Sequence, residues 1–277
     1  MTTSTVFSSL FRRHVAVPGE HGAWVFLLSP LLIGLFAGGR WSLASVVLVV
    51  AALAAFLLRQ PVTIAVKAYS GRRSRDDLPA ARFWMVVYGL IALASTAALI
   101  SLGFGFVLWL ALPGAPVFIW HLYLVSRREE RRQIGVEVVG SGVLALSAPA
   151  AYWISVGRAD PLGWWLFGLT WFQSAASIVY AYLRLEQREL RAMPAVPTRL
   201  RMARRALLYT TFNVLATTVL SALGVFPALL PVPYLVQWLE TLWGTLSPAV
   251  GVKPTVIGVR QLVVSTVFTL LFILAWR

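Results

Sequence analysis

Cysteine is absent from the 277 residues, which removes disulfides, thiolate nucleophiles and zinc–cysteine sites at once. Histidine is scarce: His14, His21 and His121 stand too far apart for a local histidine-rich metal motif. Charged residues make up 12% of the chain, about half the share in an ordinary soluble domain. Negative charge is scarcest, with 10 Asp and Glu against 24 Lys and Arg. Apolar residues fill the space, at 59% of the chain and a mean hydropathy of +0.78. A chain this size cannot hide so much apolar surface in one water-facing core, whereas lipid can. The net charge of +14 sits in short segments between apolar runs. That distribution fits membrane orientation and leaves no basic domain for nucleic acid.

A helix crossing ~30 Å of hydrocarbon needs about 20 mostly apolar residues. Such runs cover 22–38, 41–58, 83–101, 104–125, 136–156, 163–183, 206–222, 225–246 and 257–276. The expected fold is therefore all-α, a polytopic integral membrane bundle of nine transmembrane helices. The total falls to eight if the eighth run is interfacial, since Pro227, Pro231 and Pro233 crowd its start and Gln237 and Glu240 interrupt it. Residues 1–18 read as a cytoplasmic tail, either unstructured or an amphipathic helix over 4–14. Residues 19–277 read as one membrane-embedded helical domain. With the N-terminus inside, only Arg40, Arg158 and Arg277 of the basic residues fall outside, so positive charge sets the orientation and puts the C-terminus outside.

The connections after the second and sixth runs are the longest. Arg59-Gln60-Pro61 to Arg82 parallels Tyr180 to Arg199, each basic and each closing on a proline. Two four-helix halves and a last helix follow from that spacing.

Polar residues at membrane depth are costly and so mark candidate function. Thr170, Gln173, Ser177, Tyr180 and Arg184 share a helical face in the sixth run. Thr210, Asn213, Thr217 and Ser221 do so in the seventh, and Gln60, Thr63 and Lys67 follow the second. Glu137 and Ser141 open the fifth run, and the fourth carries His121. Together they suggest a polar cavity open to the cytoplasm. For Ser141, Ser177, Thr210 and Thr217 the plainer reading is hydrogen bonding that holds the bundle together. Glu20 and His21 stand at the entry of the first run, as a helix-end carboxylate or as a titratable pair at the cavity mouth.

The run Glu20-His21-Gly22-Ala23-Trp24, with Arg59-Gln60-Pro61 and the stretch from Lys253 to Arg260, resembles the YwiC-like family of bacterial membrane proteins. More distantly, nine helices with elaborated loops after the second and sixth resemble the UbiA superfamily of intramembrane prenyltransferases. That resemblance implies a bacterial inner-membrane location, an isoprenoid or lipid-phosphate ligand, and Mg²⁺ held by Asp-rich motifs. The chain departs from those motifs: Arg59, Gln60 and Lys67 stand where the first would lie, and Glu186 and Glu189 where the second would lie. The implied roles are then phosphate or substrate binding by Arg59, Gln60, Lys67, Arg127, Arg128, Gln173, Tyr180, Arg184 and Asn213. Glu186 and Glu189 would hold metal, and Glu20, His21 or Glu137 would act in proton transfer. A degenerate prenyl or lipid transferase is the first expectation. A small-solute or ion transporter, or a non-catalytic membrane partner protein, is the alternative.

Overall fold

The computed structural model describes residues 10–19, 21–129 and 133–277, and His21 by its backbone alone. Every regular element among them is helical, because backbone inside a bilayer must bond to itself. A short helix α1 (Arg13–Ala16) precedes α2 (His21–Gly38), α3 (Leu43–Tyr69), α4 (Leu78–Ser101), α5 (Ala111–Arg127) and α6 (Ile134–Ala145). Then come α7 (Ser147–Val156), α8 (Pro161–Gln187), α9 (Val196–Ala222), α10 (Pro231–Leu246) and α11 (Pro254–Trp276). Each apolar run of the sequence falls largely on helix. Among the described residues, five segments are long and apolar enough to cross a membrane: Leu43–Tyr69, Arg75–Ser101, Gly105–Arg127, Ile134–Val156 and Pro254–Trp276. The apolar α2 is shorter.

Three prolines reshape the expected boundaries. Pro61 does not end its helix: α3 continues through Arg59-Gln60-Pro61 to Tyr69, so most of the expected loop is helix. Pro61 is buried, and the turn lacks only the one hydrogen bond its missing N–H would make. Pro149 removes the N–H that would bond to Ala145, and the fifth run breaks there into α6 and α7. Pro231 sits in the first turn of α10, where its fixed φ is favourable, so residues 223–230 are turns and α10 is shorter than its apolar run.

α2 is the hub of the bundle, packing against α6, α7, α8 and α11. Gly34 and Gly38 lie against α7 so closely that a Cβ on Gly34 would stand 2.2 Å from the Ala148 carbonyl oxygen. One on Gly38 would meet the Ser155 side chain at the same distance. This small-xxx-small spacing lets two backbones approach where lipid supplies no hydrophobic drive. Ser29 on α2 and Thr269 on α11 share a buried hydroxyl–hydroxyl bond of 2.6 Å. Around them Leu31, Ile33, Leu35, Trp153, Leu166, Tyr234, Phe268 and Phe272 form the main core.

α3 and α4 pair along their length, and the N-terminal segment docks on their loop end. Val15 is fully buried beside Ile64, Ala80 and Ala81. Trp84 Nε1 donates to the Leu10 carbonyl at 3.1 Å and Tyr88 Oη to that of Ala16 at 3.0 Å. Asp77 gathers Arg12 at 2.7 Å, His14 at 3.1 Å and Arg73 at 2.6 Å. Residues 10–17 are thus a clasp rather than a loose tail; residues 1–9, most of the expected amphipathic stretch, lie outside the described residues. Asp77→Asn is expected to loosen the clasp, with amides 13–17 exchanging about tenfold faster in hydrogen–deuterium exchange. Unchanged protection would assign the docking to Val15 packing alone.

Candidate functional site

The candidate residues divide into two groups rather than lining one cavity. The first group lies where α3, α4 and α5 end or begin. On α3, the Arg59 guanidinium lies 5.7 Å from the Phe56 ring centroid, and Gln60 Nε2 donates to the His14 carbonyl at 3.0 Å. Gln60 is therefore tied to the clasp. Lys67 follows two turns later on the same helix. Arg127 ends α5 with its guanidinium 5.5 Å from the Tyr123 ring, and Arg128 takes a left-handed turn (φ 68°) that stops the helix. α5 packs against α3 and α6, which places these arginines on the first group's side of the bundle.

The second group sits between α8, α9, α10 and α11. Arg184 is buried, and its Nη1 donates to the carbonyls of Gly244 at 2.8 Å and Ser247 at 2.7 Å and to Gln187 Oε1 at 2.9 Å. It caps the C-terminal end of α10, where the last carbonyls and the helix dipole favour a cation. Gln187 is also buried and donates to the Gly244 carbonyl. Tyr180 Oη donates to Glu240 Oε1 at 2.9 Å. Arg260 grips the same carboxylate through two bonds of 2.6 and 2.7 Å, and its guanidinium lies 3.6 Å from the Trp243 ring. Glu240, which interrupts the eighth apolar run, thus belongs with Arg260, Tyr180 and Arg184.

These contacts account for Tyr180 and Arg184 as braces between helices. Asn213 Nδ2 donates to the Phe172 carbonyl at 3.0 Å, tying α9 to α8. Gln237 Nε2 donates to the backbone carbonyl of the buried Gln173 at 3.3 Å, tying α10 to α8. Thr170, Thr210 and Thr217 return their hydroxyls to carbonyls of their own helices, as does Ser141. Ser177 alone of the four plainer readings crosses, to Gln261 Oε1 on α11 at 3.2 Å.

Glu137 is exposed and accepts the Tyr182 hydroxyl at 2.6 Å, a contact between α6 and α8 away from the Arg184 network. Glu20 and the His21 side chain lie outside the described residues. Glu186 and Glu189 are both exposed, and α8 ends at Gln187, so Glu189 has left the helix that would have aligned it with Glu186. Among the described residues no group of three acidic, histidine or cysteine side chains is placed to hold a metal. Mg²⁺ wants six near-octahedral oxygens; two exposed carboxylates with no third donor do not fit a metal–diphosphate clamp, and no chemical step is derived through one.

Two hollows accompany the site. One of about 50 Å³ is apolar, bounded by Trp165, Phe172, Asn213, Thr217, Leu220 and Tyr234. The other is an open trough of about 290 Å³ along α9. Sequence reading missed Asp77, Gln187, Gln237, Glu240 and Arg260 as organisers. A signal existed for one of them: Glu240 is an acidic residue inside an apolar run, and such a residue needs a named partner.

Residues 17–152 match the family described as YwiC-like protein. The "Uncharacterized protein YwiC" of Bacillus subtilis (strain 168) is 28% identical over 160 residues, 54% of this chain. The match spans 59% of that relative's length. The family match ends in α7, so the Arg184–Glu240 network lies beyond it. In three dimensions the chain is similar to digeranylgeranylglyceryl phosphate synthase, with a TM-score of 0.58 over 98% of this chain and 99% of that one. At 9% identity the likeness carries the fold and no residue roles.

Proposed function

We propose that this UbiA-like bundle binds the phosphate end of an isoprenoid or related lipid phosphate, using basic side chains where the resemblance to the UbiA superfamily implies carboxylates and metal. The observation that carries the reading is the fate of the carboxylates in a fold shared over nearly its whole length with a lipid-phosphate synthase. Asp77 is occupied by Arg12, His14 and Arg73, and Glu240 by Arg260 and Tyr180. Glu186 and Glu189 stand exposed and apart from a third ligand. Arg59 and Lys67 lie in the C-terminal half of α3, and Arg127 and Arg128 end α5, a helix that packs against α3. Guanidinium and ammonium groups neutralise phosphate without a metal. In this reading the bundle crosses the bacterial cytoplasmic membrane nine times, with the basic end and the N-terminus in the cytoplasm and the C-terminus outside. A transport path is less favoured, since the threonines of the polar stripes turn back onto their own helices.

The test is thermal melting of the detergent-purified protein with prenyl monophosphates and diphosphates, with and without Mg²⁺. Ligand at 100 times its dissociation constant stabilises by about 2.7 kcal/mol. The expected shift is independent of Mg²⁺ and lost in Arg59→Gln with Lys67→Gln. A shift that requires Mg²⁺ and disappears in Glu186→Gln would return the site to the carboxylates. No shift with any prenyl phosphate would end the reading.

A further inference from the structure

Three arginines near the ends of α8, α9 and α10 have assigned work. Arg184 caps α10, Arg260 holds Glu240, and Arg199 donates to the carbonyls of Pro194 at 2.7 Å and Leu246 at 2.9 Å. Arg201 and Arg204 have none: both are exposed, and neither has an ion pair or hydrogen bond among the described residues. They stand three apart on one face of α9, a like-charge pair that disfavours the helix by a few tenths of a kcal/mol when nothing neutralises it. Both line the open trough of about 290 Å³ together with Leu200, Leu207, Leu208 and Thr211.

Leu200 is 48% exposed and Leu208 is 59% exposed. A soluble anion would satisfy the arginines and make no use of those leucines. The far end of the trough is fixed in place, since Thr211 accepts Trp238 Nε1 from α10 at 3.0 Å. Two unneutralised guanidinium groups continued by an apolar furrow on a membrane helix are complementary to one kind of molecule, an amphiphile with an anionic head. Guanidinium suits phosphate geometry, and an anionic leaflet concentrates such heads at the surface where a basic helix end emerges.

We infer that the α9 trough is a binding site for an anionic glycerophospholipid, its phosphate on Arg201 and Arg204 and an acyl chain along Leu207 and Leu208. The site is separate from the Arg59–Lys67 group, since it uses α9 alone. It fixes a lipid against the helix that carries Asn213, on the flank of the bundle opposite in sequence to the clasp.

The test titrates the full chain in detergent with phosphatidylglycerol, or with phosphatidylcholine of the same acyl chains, and counts bound lipid by native mass spectrometry. Phosphatidylglycerol is expected to be held about tenfold more tightly than phosphatidylcholine. Arg201→Gln with Arg204→Gln should erase that preference, and the equally charged change Arg188→Gln with Arg191→Gln should keep it. Equal binding of the two lipids would overturn the site, as would equal loss in both double variants. Displacement of phosphatidylglycerol by glycerol phosphate at similar concentration would also overturn it, because the furrow would then contribute nothing. Arg59→Gln with Lys67→Gln should leave the preference intact whether or not prenyl phosphates bind.

Discussion

Gly34→Leu is expected to abolish recovery of folded protein. A Cβ on Gly34 alone would stand 2.2 Å from the Ala148 carbonyl oxygen and 2.9 Å from the Ala151 Cβ. Backbone cannot rotate out of the way as a long side chain can, so α2 and α7 would have to separate. Separation costs the packing of the helix at the centre of the bundle. Overfilling a close-packed contact costs about 1–3 kcal/mol in ordinary cores and more where backbone blocks the added group. Gly34→Ala should already lower the melting temperature measurably. Gly89 supplies the comparison: it also lies within a helix, and nothing stands within 4 Å of a Cβ built there. Gly89→Ala should be neutral or raise stability by about 0.5–1 kcal/mol. If Gly34→Leu elutes and melts like the parent, the α2–α7 contact is not as described.

Arg184→Met should be the most damaging single change at the basic end. One nitrogen of Arg184 serves three acceptors, the carbonyls of Gly244 and Ser247 and the side chain of Gln187. Methionine matches the volume and leaves all three without that donor in a buried setting. Leaving a buried acceptor without its donor costs about 1–3 kcal/mol, against near zero for an exposed arginine such as Arg201. Thermal melting of the ligand-free protein separates structure from binding. A large loss without ligand makes Arg184 a brace. An unchanged melting temperature with lost prenyl-phosphate binding would restore it to the phosphate site.

The helical class and the positions of the apolar runs were legible because lipid imposes a strong rule: about 20 apolar residues, with charge between them. The rule is silent on partners. Tyr180 and Arg184 were visible as polar groups at depth, yet the same signal marks a ligand contact and a helix cap. Only the Gly244 and Ser247 carbonyls decide between them, and those are backbone atoms of another helix. Glu186 and Glu189 looked like a pair on the assumption that α8 continues, and it ends between them. Gln60-Pro61 looked like a helix end because proline disfavours helix interiors, but one lost hydrogen bond inside a packed helix is tolerable. The clasp was hidden because its anchor, Asp77, lies more than sixty residues from Arg12 and His14.

The place of α2 also orders the protein's assembly. It is made before the other long helices described here, yet its Gly34 surface fits residues made more than a hundred positions later, and Ser29 bonds to Thr269, 240 residues away. During synthesis α2 must therefore wait in the bilayer with an open small-residue face and an unpaired hydroxyl. The core around α2 closes only when α11 arrives.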